Sequence, residues 1–258
     1  MPFGLCTPVE NGALLRSYGW DYVEPSVQDL LQGTIEDAQW NGAARVKAGG
    51  LSPYAANMLV PAHLKITGPD ANLGALQPYI SRVVHRASQI GMRILVFGSG
   101  GARAVPEGFS HAAAQEQIIA FLRMAGPAAA TRDVTIVIEP LNKGECNIIN
   151  SYAEAVEICR VVDHRNIRCL VDTYHLWLES EPLANVAANT DLLSHVHLAD
   201  KDGRLPPGMS QTADYVPLFA LLKKIRYAGG ISVEAQWPDL PTQAGQVLGY
   251  LKETWERA

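Results

Sequence analysis

The sequence has 258 residues, 48% of them hydrophobic and 18% charged, and a formal net charge of −5. That length and apolar content suffice for a large core, so residues 1–258 are expected to form a single domain. No apolar run approaches the roughly 18 residues of a membrane span, and the lysines and arginines are scattered, so neither a membrane nor nucleic acid is expected as a partner.

Met1-Pro2-Phe3-Gly4 lacks the basic-then-apolar pattern of a secretory leader. Short apolar runs then alternate with helical patterns. The first run is Phe3–Cys6 and the second Tyr22–Glu24, followed by a helix from about Val27. Asn57–Val60 is the third run, and Arg93–Phe97 the fourth, after a helical stretch Leu76–Ile90. Val134–Ile138 follows a helix His111–Met124, and Arg168–Val171 follows a helix Tyr152–Val161. His195–Leu198 follows a short helix Leu183–Asn189, and Ile231–Val233 follows a helix Val216–Ile225. A last helix covers about Gln243–Arg257.

Near-continuous apolar runs separated by helices imply βαβ units and a parallel sheet covered on both faces. Eight such strands predict a single (β/α)₈ TIM barrel, with a doubly wound open sheet as the rival. The stretch Gly98-Ser99-Gly100-Gly101 superficially resembles a phosphate loop but has neither GxGxxG nor GKS/T. The cysteines Cys6, Cys146, Cys159 and Cys169 contain no CxxC pair and read as reduced thiols of a cytoplasmic protein.

Four polar residues mark the ends of the last four runs: Glu139, Asp172, His197 and Glu234, spaced 25 to 37 residues apart. In a barrel the strand carboxyl ends meet at one mouth, so all four converge there. Three carboxylates in one place repel one another and lose solvation, and a divalent cation relieves both. Three oxygens and one imidazole suit Mn²⁺, Mg²⁺ or Co²⁺, and Zn²⁺ also fits. Taken singly, each has an ordinary reading as a salt-bridge partner or a satisfied core histidine. His195 fits the latter and is expected on the other side of its strand from His197. Glu145, His175 and Arg204 lie on the adjoining loops, where they reach the same mouth or stand as solvated charges. From the first half of the chain, Cys6, Trp20, Glu24, His63 and Phe97 are the candidates for pocket walls.

The segments Ile138-Glu139-Pro140-Leu141-Asn142, Val171-Asp172-Thr173-Tyr174-His175, His195-Val196-His197-Leu198-Ala199-Asp200 and Ser232-Val233-Glu234 resemble the xylose isomerase-like barrel superfamily, nearest to the ketose 3-epimerases. Val96-Phe97-Gly98-Ser99-Gly100-Gly101-Ala102-Arg103 is similar to the same relatives, and the likeness runs from the first strand to the last. The resemblance implies that Glu139, Asp172, His197 and Glu234 hold one divalent ion, Mn²⁺ first among them. It implies that Glu139 and Glu234 form the acid/base pair, and that Glu145, His175 and Arg204 contact a small sugar. Relatives often form homo-oligomers. Two departures stand out: Arg204 comes seven residues after His197 rather than six, and Lys143 follows Asn142 where an arginine is usual.

The implied chemistry is proton transfer through an enediolate, as epimerisation or isomerisation. An inosose dehydratase-like lyase would use the same enediolate and eject a hydroxyl. An apurinic-site endonuclease-like hydrolase would need further histidines, whereas the fourth strand ends in Phe97-Gly98 and no Asp-x-His follows His197. A non-catalytic sugar-binding barrel is the remaining alternative.

Overall fold

The structure is a computed structural model describing residues 1–258. Its strands are β1 (Phe3–Cys6), β2 (Tyr22–Glu24), β3 (Ala55–Ala56), β4 (Ile94–Phe97), β5 (Thr135–Ile138), β6 (Ile167–Asp172), β7 (Leu193–Leu198) and β8 (Ile231–Val233). The helices are α1 (Gly12–Tyr18), α2 (Val27–Leu30), α3 (Gly42–Gly49), α4 (Leu73–Gln89), α5 (Gly100–Arg103) and α6 (His111–Ala130), then α7 (Tyr152–Val162), α8 (Thr173–Leu178), α9 (Leu183–Ala188), α10 (Val216–Lys224) and α11 (Leu240–Arg257).

All strand pairs are parallel, in the order β2-β1-β8-β7-β6-β5-β4-β3. Isolated bridges Val23–Pro53 and Ser26–Asn57 draw β2 and β3 together, so the sheet nearly closes into a (β/α)₈ barrel. One core lies between the strands and the outer helices. A smaller one, Ala55, Ile94, Val96, Val137 and Leu170, fills the barrel itself. β-Branched and aliphatic residues fit these strands because both faces are covered.

The third strand departs from expectation. It is only Ala55–Ala56, and Asn57–Val60 is irregular. Met58 has φ 57°, a left-handed value that extended backbone cannot absorb. Leu59 nevertheless donates its N–H to Val96 O, so the segment still leans on β4. Helix α4 starts earlier than its apolar periodicity implies because Asn72 Oδ1 caps it by accepting from Ala75 N–H. Helix α6 runs past Met124 through Gly126, where a larger residue would strike the His164 ring.

Candidate metal centre

The register of the last strands assembles the site. Glu139 follows β5, Asp172 ends β6, His197 sits next to last in β7, and Glu234 follows β8. Asp172 pairs with His197 and His197 with Ser232, so these side chains share one level of the barrel. One ligand atom from each of Glu139, Asp172, His197 and Glu234 lies within 4.8 Å of the others. His197 Nδ1 is 3.1 Å from Glu139 Oε1, 3.4 Å from Glu234 Oε2 and 3.9 Å from Asp172 Oδ2.

Asp172 tests the fit of this set to a cation. Its Oδ1 accepts from Tyr174 N–H (2.7 Å) and His175 N–H (3.4 Å), capping α8. That contact turns Oδ2 toward the cluster, where it is buried without a hydrogen-bond partner. A buried carboxylate oxygen without a donor costs at least about 1–3 kcal/mol. Three carboxylate oxygens and one imidazole nitrogen, one oxygen orphaned, form a donor set that a divalent ion satisfies.

The charges show the same tension. Burial pushes the Glu139 carboxyl up, and the neighbouring Glu234 charge raises it further. Burial also acts to raise Glu234, but His197 and Arg204 outweigh it and bring the carboxyl down to about 2. Burial lowers the His197 imidazole, while the charges of Glu24 and Glu234 overcome that and raise it.

The three loop residues reach the same mouth. His175 is buried; its Nδ1 accepts from Asn142 N–H at 3.1 Å, so the ring proton sits on Nε2. That Nε2 has no partner and lies 3.9 Å from Asp172 Oδ2. Glu145 Oε1 accepts from Asn142 Nδ2 (2.9 Å) and from Arg204 Nη1 (3.4 Å). Arg204 Nη2 donates to Glu234 Oε2 at 2.6 Å, and the guanidinium lies 4.8 Å from the centre of the Tyr174 ring. The extra residue in its loop is absorbed by left-handed backbone at Gly203 (φ 69°) and Arg204 (φ 51°). A cavity of about 380 Å³ opens beside these groups, lined also by Gln28, Asn57 and the Gly98–Gly101 turn.

The first-half candidates divide. Trp20 packs away from the site and donates to Ala244 O, His63 is exposed, and Phe97 packs on Phe121 in the core. Cys6 and Glu24 do lie at the centre and form a second donor cluster with His197. The expectation for His195 is overturned. Residues two apart on a strand share a face. Accordingly His195 Nε2 and His197 Nε2 both meet the Glu24 carboxylate, at 2.8 and 2.9 Å. Sequence reading also missed Asn57, whose Nδ2 donates to Glu234 Oε1 at 2.8 Å. Its only signal was a polar residue inside an apolar run. The Gly98–Arg103 turn does not offer its arginine to a ligand: Arg103 is buried and donates to Phe97 O and Glu139 O.

The pattern of the xylose isomerase-like TIM barrel family matches residues 13–254. The chain belongs to that family. The chain is similar to a 3-dehydro-D-guloside 4-epimerase of Escherichia coli (strain K12), 34% identical over 45% of this chain and 44% of that one. An L-ribulose 3-epimerase of Methylomonas sp. (strain DH-1) is 28% identical over 53% of this chain and 54% of that one. The chain thus spans about half the length of the curated relatives it matches. The crystal structure of E. coli 3-keto-D-glucoside 4-epimerase superposes with a TM-score of 0.83 at 24% identity, covering 98% of this chain and 99% of that one, which shows the shared fold.

Proposed function

We propose that the chain is a divalent-metal-dependent epimerase or isomerase of keto sugars, moving a proton with Glu139 and Glu234. The observation that carries the reading is the convergence of Glu139, Asp172, His197 and Glu234 within 4.8 Å at the edge of the cavity. The two similar curated proteins carry names of keto-sugar epimerases, which supports the same substrate class here. The second donor cluster reuses His197, which favours one resident ion over several.

A cation held by the four residues would supply Lewis-acid stabilisation of the negative charge on the substrate oxygens, worth several kcal/mol, and the family resemblance puts Mn²⁺ first. The chain's own groups do the rest. One glutamate takes the proton from the carbon beside the carbonyl, and the electron pair moves into the carbonyl to give an enediolate. The other glutamate returns a proton to the opposite face of that carbon, or to the neighbouring one. The first outcome is epimerisation and the second isomerisation. The free His175 Nε2–H donates to a substrate oxygen, and Glu145 and Arg204 hold hydroxyls at the mouth. The Gln28 and Asn57 side chains offer further polar contacts suited to a polyhydroxylated ligand.

The test is a screen of ketoses and keto-glycosides with Mn²⁺ in D₂O. The wild type should place solvent deuterium on the substrate carbon, whereas a lyase would release water. Glu139→Gln and Glu234→Gln should each lower turnover by about 10³-fold while leaving the fold intact by circular dichroism. Full activity in either variant refutes the assignment. Chelation should silence the wild type, and Mn²⁺ should restore it.

A further inference from the structure

Beneath the four converging donors lies a wholly buried polar layer that the proposed proton transfer does not use. Its centre is Glu24, at the end of β2 and 0% exposed. Its Oε2 meets His195 Nε2 at 2.8 Å and accepts from Ser232 Oγ, and its Oε1 meets His197 Nε2 at 2.9 Å. Ser232 Oγ is also 2.8 Å from Tyr22 Oη, and both residues are buried. The ion-pair partners of Glu24 are the two imidazoles. Removing a carboxylate from water costs several kcal/mol, so a barrel centre holds one only where its partners demand an ionised acceptor.

The partners show what is demanded. An ionised carboxylate has acceptor positions only, so His195, His197 and Ser232 must all be donors toward it. The proton of His197 is thereby fixed on Nε2. Its Nδ1 faces Glu139, Glu234 and Asp172 at 3.1, 3.4 and 3.9 Å. We propose that Glu24 is a positioning residue: it fixes the orientation and tautomer of His197 so that the Nδ1 lone pair points at the cation. Ligand imidazoles are commonly oriented by such an outer carboxylate, and its loss typically costs 10–100-fold in metal affinity. The inference rests on reading the tetrad as a metal site.

Glutamine in place of Glu24 keeps the shape but turns an NH₂ group either to His197 or to His195 and Ser232 together. One imidazole must then turn or move its proton. If that ring is His197, the proton moves to Nδ1 and blocks the lone pair; if it is His195, His197 keeps an oxygen acceptor but loses the carboxylate's charge, and its Nδ1 is a weaker donor to the cation. Ser232 supports the carboxylate from the side and leaves both imidazole contacts in place when truncated.

The experiment is calorimetric titration of Mn²⁺ into the wild type, Glu24→Gln and Ser232→Ala at one pH. Glu24→Gln should bind Mn²⁺ about 10–100-fold more weakly than the wild type, with Ser232→Ala close to the wild type. Wild-type affinity in Glu24→Gln overturns the positioning role and leaves the metal reading standing. An equal loss in Ser232→Ala also overturns it, because general damage to the buried layer then explains both. Absence of Mn²⁺ binding by the wild type removes the metal reading itself. A second measurement needs no variant: nitrogen-15 spectra of the histidines in the Zn²⁺-loaded wild type. These should show His197 protonated on Nε2 with slow exchange, and a proton on Nδ1 rejects the proposal whether or not Glu24→Gln folds.

Discussion

The two halves of the barrel are built from the same βα units, yet their strands end in different chemistry. β5 to β8 each deliver one metal-type donor at the mouth: Glu139, Asp172, His197 and Glu234. β1 to β4 end in Cys6, Glu24, the Ala56–Asn57 step and Phe97-Gly98, of which Glu24 alone is charged. The difference teaches how labour is divided. The second half gathers charges that a shared cation would reconcile, and the first half shapes and holds them. Asn57 donates to Glu234, Gly98 leaves room for Glu139, and Arg103 ties the end of β4 to the residue after β5.

If the first half is the clamp, breaking it should damage the second without touching a donor. Arg103 is the strongest case. It is fully buried, with Nη1 donating to Phe97 O at 2.7 Å and Nη2 to Glu139 O at 2.8 Å. Arg103→Met removes two charge-assisted bonds and strands the Glu139 carbonyl, while Phe97 O keeps the Glu139 N–H, so urea unfolding should show a loss of about 3–6 kcal/mol. A loss below about 1 kcal/mol would mean that the Glu139 carbonyl finds another partner and the tie is decorative. Gly98→Ala acts more locally. An added Cβ would collide with Glu139 Oε2 and touch Leu141 Cδ2 at 3.6 Å. The flexible carboxylate gives way rather than the backbone, so the fold survives while the proposed acid/base group moves. Turnover should fall about 10²-fold, equivalent to about 2.7 kcal/mol, with cooperative unfolding retained. Unchanged turnover would show that Glu139 has no need of that position.

The same division explains what the sequence disclosed. Donors at strand ends were legible because an apolar run followed by a carboxylate is a local signal, and the barrel turns four local signals into one site. His195-Val196-His197 was legible as a strand, but the direction of His195 depends on alternation, which sets it on the same face as His197. Glu24 was legible only as a candidate for a pocket wall. Its partners come from β7 and β8, more than 170 residues later, and only closure of the sheet brings them together. The irregular backbone at Met58 was invisible because nothing in an Asn-Met-Leu-Val run announces a left-handed residue.

The smallest expected effect lies at the far edge of the first half and marks where the clamp ends. Arg86 is buried and donates to Leu31 O, Gln32 O and Ile35 O, and it also pairs with the exposed Asp37 at 2.8 Å. The Arg86 hydrogen bond holds the Asp37 carboxyl below its ordinary range. A carboxyl whose folded value is depressed contributes stability above its unfolded value, near pH 4, and loses it as pH falls through the folded value. Asp37→Asn should therefore lower the melting temperature slightly at neutral pH, and the gap to the wild type should close on acidification below about pH 4. Arg86 keeps its three carbonyls in the variant, so Mn²⁺ affinity and turnover should not change. A gap that widens in acid would reject the ion-pair account of Asp37. A change in Mn²⁺ affinity would extend the clamp to a part of the barrel that shares no contact with the four donors.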